Sequence, residues 1–396
     1  MFFRYKLKFL ILFGFIFFIT KAQCQLQFSN QIITGAEQTS TYFGLLKGKN
    51  VAVVGNQSSR VGNIHLIDTL LNSGIAVKKV LCPEHGFRGV ADAGEKIDNS
   101  VDAKTGLPII SLYGKHKKPT KADLQDIDFV VFDIQDVGVR FYTYISTLHF
   151  VMEACAEHYI PLLVLDRPNP NGFYVDGPVL DSVAQSFVGM HPVPLVHGMT
   201  IGEYALMING QKWLNSKIQC DISVIPCKNY NHNVLYKLPV KPSPNLPNLN
   251  AILLYPSLGL FEGTVVSIGR GTNFPFQVFG HPDYKKGKFK FTPESVAGAK
   301  HPKLEGEVCK GEDLQIFSIE ELTKAKQINL QFLLKTYKEL HRKTDFFNSY
   351  FYKLAGTDKL QSQIEQGLTE DEIRASWKKG IKTFKEIRQQ YLLYSD

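Results

Sequence analysis

Three clusters of side chains have the residue types and spacing to do chemistry, and each comes at the end of a short apolar run. They contain carboxyl, guanidinium, amide and aromatic groups, at 83–89 after the run 77–82, at 135–144 after the run 128–134, and at 166–172 closing the run 161–166. Carboxyl groups can transfer protons, and guanidinium groups can bind anions through paired hydrogen bonds. The clusters therefore predict a polar catalytic or binding site.

Candidates for substrate contact come from these clusters and from two later motifs, "HGMTIGE" and "LFEGTVVSIGRGTNFPF". They are His85, Arg88, Gln135, Asp136, Arg140, Tyr142, Asp166, Arg167, Asn169, His197, Glu262 and Arg270. The glycines of the second motif allow close approach of the backbone to a ligand, although an exposed hairpin would contain them as well. Glu84, at a predicted strand end, is the candidate proton donor, and the alternative is that it only caps a turn or helix.

Two aspartates near the second cluster admit two interpretations. Asp133 and Asp136 could bind a divalent cation, or they could orient Arg140. A cation of this kind takes six or more oxygen ligands, and no further acidic group stands nearby in the sequence. We therefore expect these carboxylates to orient Arg140, and we expect no bound metal.

Two glutamates lie in predicted helices. Glu153 stands among apolar residues, where a charged carboxylate is costly unless it is paired. It is either a second carboxyl group of the site, with a raised pKa unless an arginine pairs with it, or a partner in a salt bridge. Glu203 follows Thr200 by three residues, which is the spacing of a capping box at the start of a helix.

The order of apolar runs predicts the elements that position these residues. Buried strands are expected at 50–56, 77–82, 108–114, 128–134, 161–166 and 221–227, and helices at 64–73, 121–126 behind a cap at Thr120, 145–159 and 199–210. Alternating strands and helices predict an α/β fold, a doubly wound, largely parallel sheet. In such a sheet ligands bind outside the carboxyl ends of the strands, so the three clusters should meet at one edge.

The pattern changes after residue 235. A proline-rich stretch, 238–250, predicts a linker or an extended crossover, and strands are expected within 264–270 and 288–292. Helices are expected at 318–341, 357–366 and 369–393. The sequence thus predicts a Rossmann-like catalytic domain at 25–235 and a smaller α+β domain at 236–396 that closes over the site.

The N-terminus has the features of an export signal. Three positive residues precede the apolar run 9–19, which is too short to span a membrane, and Ala22 and Cys24 form a small-x-small cleavage pair. We expect cleavage near residue 24 and a periplasmic protein with no lasting membrane insertion. A lipid anchor at Cys24 is disfavoured because Gln23 stands where a small residue is required.

Composition and missing motifs exclude several classes of protein. The 396 residues are 44% hydrophobic and 21% charged, a globular balance, and loss of the signal lowers the net charge of +8 by four. Such a mild charge does not favour nucleic acid as a partner. The chain contains no dinucleotide fingerprint, P-loop or G-x-S-x-G elbow.

The cysteines are too few for a disulfide framework and we expect buried thiols, although Cys220 and Cys227 are near enough in sequence to pair.

A set of long motifs resembles a known family. The strings "PEHGFRG", "DAGE", "TGLPIISLYG", "FDIQDVGVRFYTYISTL", "LDRPNPNG", "VDGP", "HGMTIGE", "KPSPNLP" and "FEGTVVSIGRGTNFPF" are similar to those of the NamZ-type exo-β-N-acetylmuramidases, over about residues 40–396. The resemblance implies a Rossmann-like domain, a smaller C-terminal domain, and release of N-acetylmuramic acid from non-reducing ends of peptidoglycan fragments without a cofactor.

The resemblance also implies roles for particular residues. Glu84 matches the family's acid/base, and we place a second catalytic glutamate at Glu153. Glycoside hydrolysis ordinarily uses two carboxyl groups, which agrees with this pair. One of Arg88, Arg140, Arg167 or Arg270 could hold the lactyl carboxylate of muramic acid, and Tyr142 and Tyr144 could pack against the sugar.

Two other functions fit the same residues. A non-catalytic muropeptide- or sugar-binding protein would use the same cleft but would not need a carboxyl group of raised pKa. A metal-dependent hydrolase would use Asp133 and Asp136 and would lose activity with EDTA. The sequence does not distinguish a retaining from an inverting mechanism.

Overall fold

A computed structural model describes residues 27–28, 32–83, 87, 100–215, 218–342 and 344–396. The strands are β1 (Gln27–Phe28), β2 (Asn50–Gly55), β3 (Arg60–Val61), β4 (Ile64–His65), β5 (Ala76–Cys82), β6 (Ser100–Val101), β7 (Pro108–Ser111), β8 (Phe129–Asp133), β9 (Leu162–Leu165), β10 (Ile222–Ile225), β11 (Val234–Leu235), β12 (Val278–His281), β13 (Phe289–Phe291) and β14 (Cys309–Asp313). The predicted signal segment lies outside the described residues and stays a prediction.

Helices connect many of these strands and form most of the chain after Ser318. They are α1 (Thr39–Leu46), α2 (Leu66–Asn72), α3 (Tyr144–His158), α4 (Ile201–Gly210), α5 (Leu249–Leu258), α6 (Ile319–Lys324), α7 (Gln331–Leu340), α8 (Ser349–Ala355), α9 (Lys359–Glu365) and α10 (Glu370–Arg388). Short 3₁₀ helices span Ser182–Ala184 and Gly259–Gly263. Among the described helices, none combines the length and the apolar character that a membrane span requires.

The central sheet has seven strands in the order β10-β9-β8-β2-β5-β7-β6. Every neighbouring pair is parallel except β6 with β7. The central strands β2, β8 and β9 are almost wholly buried, as apolar strands covered on both faces must be. The predicted α/β, Rossmann-like sheet is confirmed.

The strand order locates the crevice where a ligand can bind. Without the edge strand β6, the strands numbered by sequence run 6-5-4-1-2-3, the Rossmann order. The order reverses between β2 and β8, so the chain leaves these adjacent strands in opposite directions at their carboxyl ends. Asn56 follows β2 and Gln135–Tyr144 follow β8, which places the second predicted cluster at this crevice.

The C-terminal part builds a smaller α+β layer. Its antiparallel sheet has the order β12-β14-β13, with helix α5 before it in the chain and helices α6–α10 after it. Helix α10 begins at a capping box of Thr369 and Glu372. The chain then returns to the first domain, where Arg388 donates to the carbonyl of Gly198 and Tyr394 donates to Asp166. This contact fixes the second domain against the loops at the carboxyl edge of the large sheet.

Several local predictions are wrong, and each has a physical cause. Residues 121–126 form turns instead of a helix, because Asp123 bonds back to Thr120 and the segment ends at Asp126 with positive φ. Residues 264–270 form isolated bridges and no strand, since Gly269 has positive φ. The expected helix 318–341 is broken into α6 and α7, with Lys326 left-handed between them. Helix α8 was not predicted, although its apolar residues have helical spacing.

The described cysteines are all reduced and buried, as expected of small apolar residues. Strand β10 holds Cys220 and Cys227 apart, so the pairing that their spacing allowed does not form. The thiol of Cys155 on α3 instead contacts Cys220.

Candidate functional site

A pocket of about 290 Å³ lies between the two domains, beside the crevice at the reversal of strand order. The first domain supplies the segment after β8 and residues of two other loops, and the second domain supplies a carboxylate, a guanidinium group and aromatic rings. The lining residues are Tyr113, Phe141, Tyr142, Thr143, Tyr144, Phe187, Val188, Ser243, Leu246, Tyr255, Glu262, Arg270, Phe276 and Tyr350. Such a mixture suits a ligand with both apolar faces and charged groups.

Two tyrosines form the wall contributed by the first domain. The rings of Tyr142 and Tyr144 meet edge to face at 4.7 Å between centroids. The hydroxyl of Tyr142 donates to the carbonyl of Pro242 at 2.9 Å, and the amide of Asn56 donates to the hydroxyl of Tyr144 at 3.0 Å. The rings are thereby fixed by hydrogen bonds at their polar ends, so they can offer rigid apolar faces to a sugar.

Glu262 and Arg270 form the charged wall contributed by the second domain. The Nε and Nη2 of Arg270 donate to Oε1 of Glu262 at 3.0 and 2.7 Å, and both side chains are about one-quarter exposed. The guanidinium group also lies 5.0 Å from the ring centre of Phe276. Gly271 has positive φ, and a Cβ there would collide with the carbonyl of Glu294, so this turn requires glycine.

Two of the predicted arginines are buried and bind groups inside the fold. Arg167 donates to both carboxylate oxygens of Asp133, at 2.6 and 2.9 Å, and both side chains are buried. Arg140 donates to the carbonyls of Pro178, Val193, Leu354 and Ala355. The expectation that Asp133 orients Arg140 is therefore wrong, since Asp133 pairs with Arg167. Neither guanidinium group is available to a ligand.

Asp136 and His197 lie near each other beneath the site but do not line the pocket. Asp136 accepts a hydrogen bond from the backbone N–H of Gly138 at 2.7 Å, and burial raises its pKa to about 7. His197 Nε2 is 3.8 Å from the same carboxylate, and burial lowers the pKa of this histidine to about 3. Neither aspartate orients Arg140, and within the described residues no His, Cys, Asp and Glu side chains group as a metal site.

The remaining predicted residues of the first domain hold loops together. Gln135 donates to the carbonyls of Asp136 and Pro168. Asn169 donates to the carbonyl of Met199. Asp166 accepts from Thr200, Gly202 and Tyr394, and burial raises its pKa to about 6. These contacts fix the ends of β8 and β9 below the pocket.

Glu203 forms the capping box predicted with Thr200, which is confirmed. Its carboxylate also contacts His232 at 2.9 Å and accepts from the backbone of Leu393 and Tyr394. The residue therefore joins helix α4 to the C-terminal segment, away from the lining of the pocket.

Glu153 is paired far along helix α3 from the pocket. It stands nine positions after Tyr144, which is about 13.5 Å along the axis at 1.5 Å per residue. Its carboxylate accepts from Lys118 at 2.6 Å and from the backbone N–H of Asn215 at 3.1 Å. Although burial raises its pKa, the hydrogen bonds with Lys118 and Asn215 give a net lowering, so the expected raised pKa is wrong.

We expect Glu153→Gln to lower the free energy of unfolding by about 1–3 kcal/mol, because it removes a buried charged hydrogen-bond acceptor. Any catalytic activity of the folded protein should be unchanged. The pKa of Glu153 is lowered in the folded state. Its contribution to stability should therefore be present above the ordinary pKa of a glutamate and should decrease as the pH falls below that value. Urea unfolding of both proteins at pH 7 and pH 4 measures this. Loss of turnover without loss of stability would contradict it.

The first predicted cluster is only partly described. Glu84, His85 and Arg88 lie outside the described residues. Pro83 is buried, and β5 pairs with β7 so that Cys82 faces Ser111. Tyr113, two residues beyond Ser111, lines the pocket. Residue 84 therefore follows a strand whose neighbour in the sheet, β7, leads to the pocket. The roles of Glu84, His85 and Arg88 stay predictions.

Several lining residues were not foreseen from the sequence. Ser243 and Leu246 come from the proline-rich stretch, which is an ordered wall of the pocket, and Tyr350 comes from α8. Tyr255 lies in α5, where its ring contacts Tyr142 and Phe276. The repeated prolines around Ser243 were a usable signal, since their fixed φ angles favour a rigid segment, which here forms a turn closed by the hydrogen bond from Leu246 N–H to the carbonyl of Ser243.

The protein combines a Rossmann-type domain with an interdomain pocket, and a carboxylate, an arginine and tyrosines line this pocket. These are features of a sugar-processing enzyme. Family models described as the N-terminal and C-terminal parts of exo-beta-N-acetylmuramidase NamZ match residues 51–250 and 253–394. The chain is 38% identical over 369 residues, 88% of either chain, to the peptidoglycan beta-N-acetylmuramidase NamZ of Bacillus subtilis (strain 168). The chain belongs to the NamZ family of exo-β-N-acetylmuramidases, and it is a glycoside hydrolase.

Two solved structures have the same architecture. Both are DUF1343 family proteins from Bacteroides fragilis NCTC 9343, and each match covers 92% of this chain and 99% of the other. The TM-scores are 0.86 at 50% identity and 0.74 at 29% identity.

Proposed function

We propose that this protein hydrolyses the β-glycosidic bond of N-acetylmuramic acid at the non-reducing end of peptidoglycan fragments during cell-wall recycling. Membership of the NamZ family over both domains carries the proposal. The interdomain pocket supports it, because two tyrosine rings, a carboxylate and a guanidinium group line the same cavity of about 290 Å³.

Two glutamates are proposed for the two carboxyl roles of glycoside hydrolysis. Glu84 donates the proton to the leaving oxygen, and Glu262 supplies the second carboxylate. Among Glu262, Asp136, Glu153 and Glu203, Glu262 alone lines the described pocket. The other three are buried and bonded to backbone or cationic groups. Hydrolysis with two flanking carboxyl groups requires both to reach the same sugar, and this favours Glu262.

Arg270 is the proposed ligand of the lactyl carboxylate that distinguishes muramic acid from glucosamine. Arg140 and Arg167 are committed to carbonyls and to Asp133, whereas Arg270 lines the pocket and is about one-quarter exposed. Arg88, the fourth candidate, lies outside the described residues. A guanidinium group can bind a carboxylate through two parallel hydrogen bonds, which a neutral sugar does not provide.

Hydrolysis of a chromogenic β-N-acetylmuramic acid glycoside and its N-acetylglucosamine counterpart tests the proposal. We expect the first to be cleaved and the second to be nearly untouched, because the wrong substrate leaves a charged group of the site without its partner. Arg270→Met should lower kcat/KM for the muramic acid glycoside by roughly 10-fold or more, as expected for a lost charged hydrogen bond.

Arg342→Met is the matched control, because Arg342 is exposed in the same domain and should leave both rates unchanged. Equal rates of the wild type on the two glycosides would contradict the specificity. Tight binding of muramic acid without turnover of either glycoside would favour a binding protein instead.

We further propose that the protein is exported to the periplasm. The positive residues and the apolar run 9–19 support export, and Gln23 argues against a lipid anchor at Cys24.

A further inference from the structure

A partly buried lysine lies behind the charged wall of the pocket. Nζ of Lys303 donates to the carbonyls of Phe261 and Glu262, at 3.1 and 3.4 Å, and to the carbonyl of Thr264. These carbonyls belong to the 3₁₀ turn Gly259–Gly263 and the residue after it, which carry Glu262 into the pocket. Lys303 is not among the pocket's lining residues, so it acts on this turn and not on a ligand.

The loop that carries Lys303 connects the charged wall of the pocket to the proline-rich stretch that contains Ser243 and Leu246. The backbone N–H of Glu294 donates to the carbonyl of Gly271, next to Arg270. On the other side, the amide of Asn245 donates to the carbonyl of Gly298, and Asn245 belongs to the wall formed by Ser243 and Leu246. The proline-rich stretch in turn contacts the first domain, because the carbonyl of Pro242 accepts from the hydroxyl of Tyr142. The loop of Lys303 therefore lies between the turn that carries Glu262 and the stretch that contacts the first domain.

The charge of Lys303 is what makes this arrangement effective. A charged ammonium group has three N–H bonds, one for each carbonyl, and its bonds are about twice as strong as those of a neutral donor. Its charge also attracts the carboxylate of Glu262, whereas Arg270 opposes it. In the described part of the chain no carboxylate lies within 4 Å of Nζ, so the carbonyls are its direct partners.

We infer that Lys303 is the positioning residue that holds Glu262 and Arg270 in the pocket, and that loss of its charge at alkaline pH disables the site. The inference rests on the proposed function and adds a pH-dependent element to it. Burial lowers the pKa of Lys303 to about 8, so the charge is present at pH 7 and lost in mildly alkaline solution.

The pH profile of kcat/KM on the muramic acid glycoside tests the inference with three proteins. The wild type should lose activity above pH 8, since this profile reports ionisations of the free enzyme. Lys303→Met should lower kcat/KM roughly 10- to 100-fold at pH 7, as expected when catalytic groups are displaced, and should have no alkaline decline near pH 8. Lys303→Arg keeps the charge and should shift the decline to higher pH.

A second measurement needs no activity. Because the folded pKa lies below the ordinary lysine value of about 10.4, the unfolded chain binds the proton more tightly. Between pH 8 and pH 10 the wild type should therefore gain stability to unfolding relative to Lys303→Met. Lys290→Met, at an exposed site in β13, is the matched control and should follow the wild type in both measurements.

The outcomes separate the two proposals. A wild type inactive on both glycosides overturns the proposed function, and this inference with it. An active wild type whose alkaline decline persists unchanged in Lys303→Met overturns the inference alone, and a lower melting temperature in that variant would then mean only a structural role.

Discussion

Glu84→Gln is expected to lower kcat on a natural peptidoglycan fragment by roughly 100-fold or more, because an amide cannot donate the proton that the leaving sugar oxygen requires. The reason to choose this residue is its place in the chain. It follows β5, whose neighbour β7 leads into the pocket at Tyr113. A chromogenic glycoside should lose less activity than the natural fragment, since a good leaving group needs little protonation.

The matched control is Glu153→Gln, which removes the other glutamate considered for catalysis and should keep near-normal turnover. Glu262→Gln should resemble Glu84→Gln in its loss of turnover if Glu262 supplies the second carboxylate. Near-normal kcat for Glu84→Gln on both the natural and the chromogenic substrate would mean that another residue is the acid.

The second large effect is expected on stability. Arg167→Met should lower the free energy of unfolding by about 3–5 kcal/mol, because it leaves the buried carboxylate of Asp133 without its partner. Burial already raises the pKa of Asp133, and Arg167 opposes that shift. Without Arg167 the folded state should bind the proton more tightly still, so the variant should lose stability as the pH rises.

Urea unfolding at pH 5 and pH 8 measures this effect. Arg342→Met, which is exposed, should unfold like the wild type. The double variant Arg167→Met, Asp133→Leu should recover much of the loss, since a buried ion pair can be replaced by apolar groups. A single variant as stable as the wild type at both pH values would contradict the structural role of the pair.

The large sheet could be predicted from the sequence because its signal is local. Strands β2, β8 and β9 are continuous apolar runs, and such runs alternating with helices favour a parallel sheet. The second domain was less predictable, since Gly269 and the left-handed Lys326 break elements that hydrophobic spacing alone would continue. Tertiary contacts outweigh spacing at such positions.

Residue types and the positions of strand ends were enough to predict one polar edge, and the spacing of Thr200 and Glu203 was enough to predict their pairing. The family was predicted from the resemblance of its long motifs. The sequence did not determine which polar groups face a ligand. Arg140, Arg167 and Arg270 cannot be distinguished by residue type. In the fold, backbone carbonyls bind Arg140 and Asp133 binds Arg167, whereas Arg270 lines the pocket. Hydrogen-bond partners far apart in sequence carry no local signal, so the tertiary structure alone separates the binding residues from those that hold the fold.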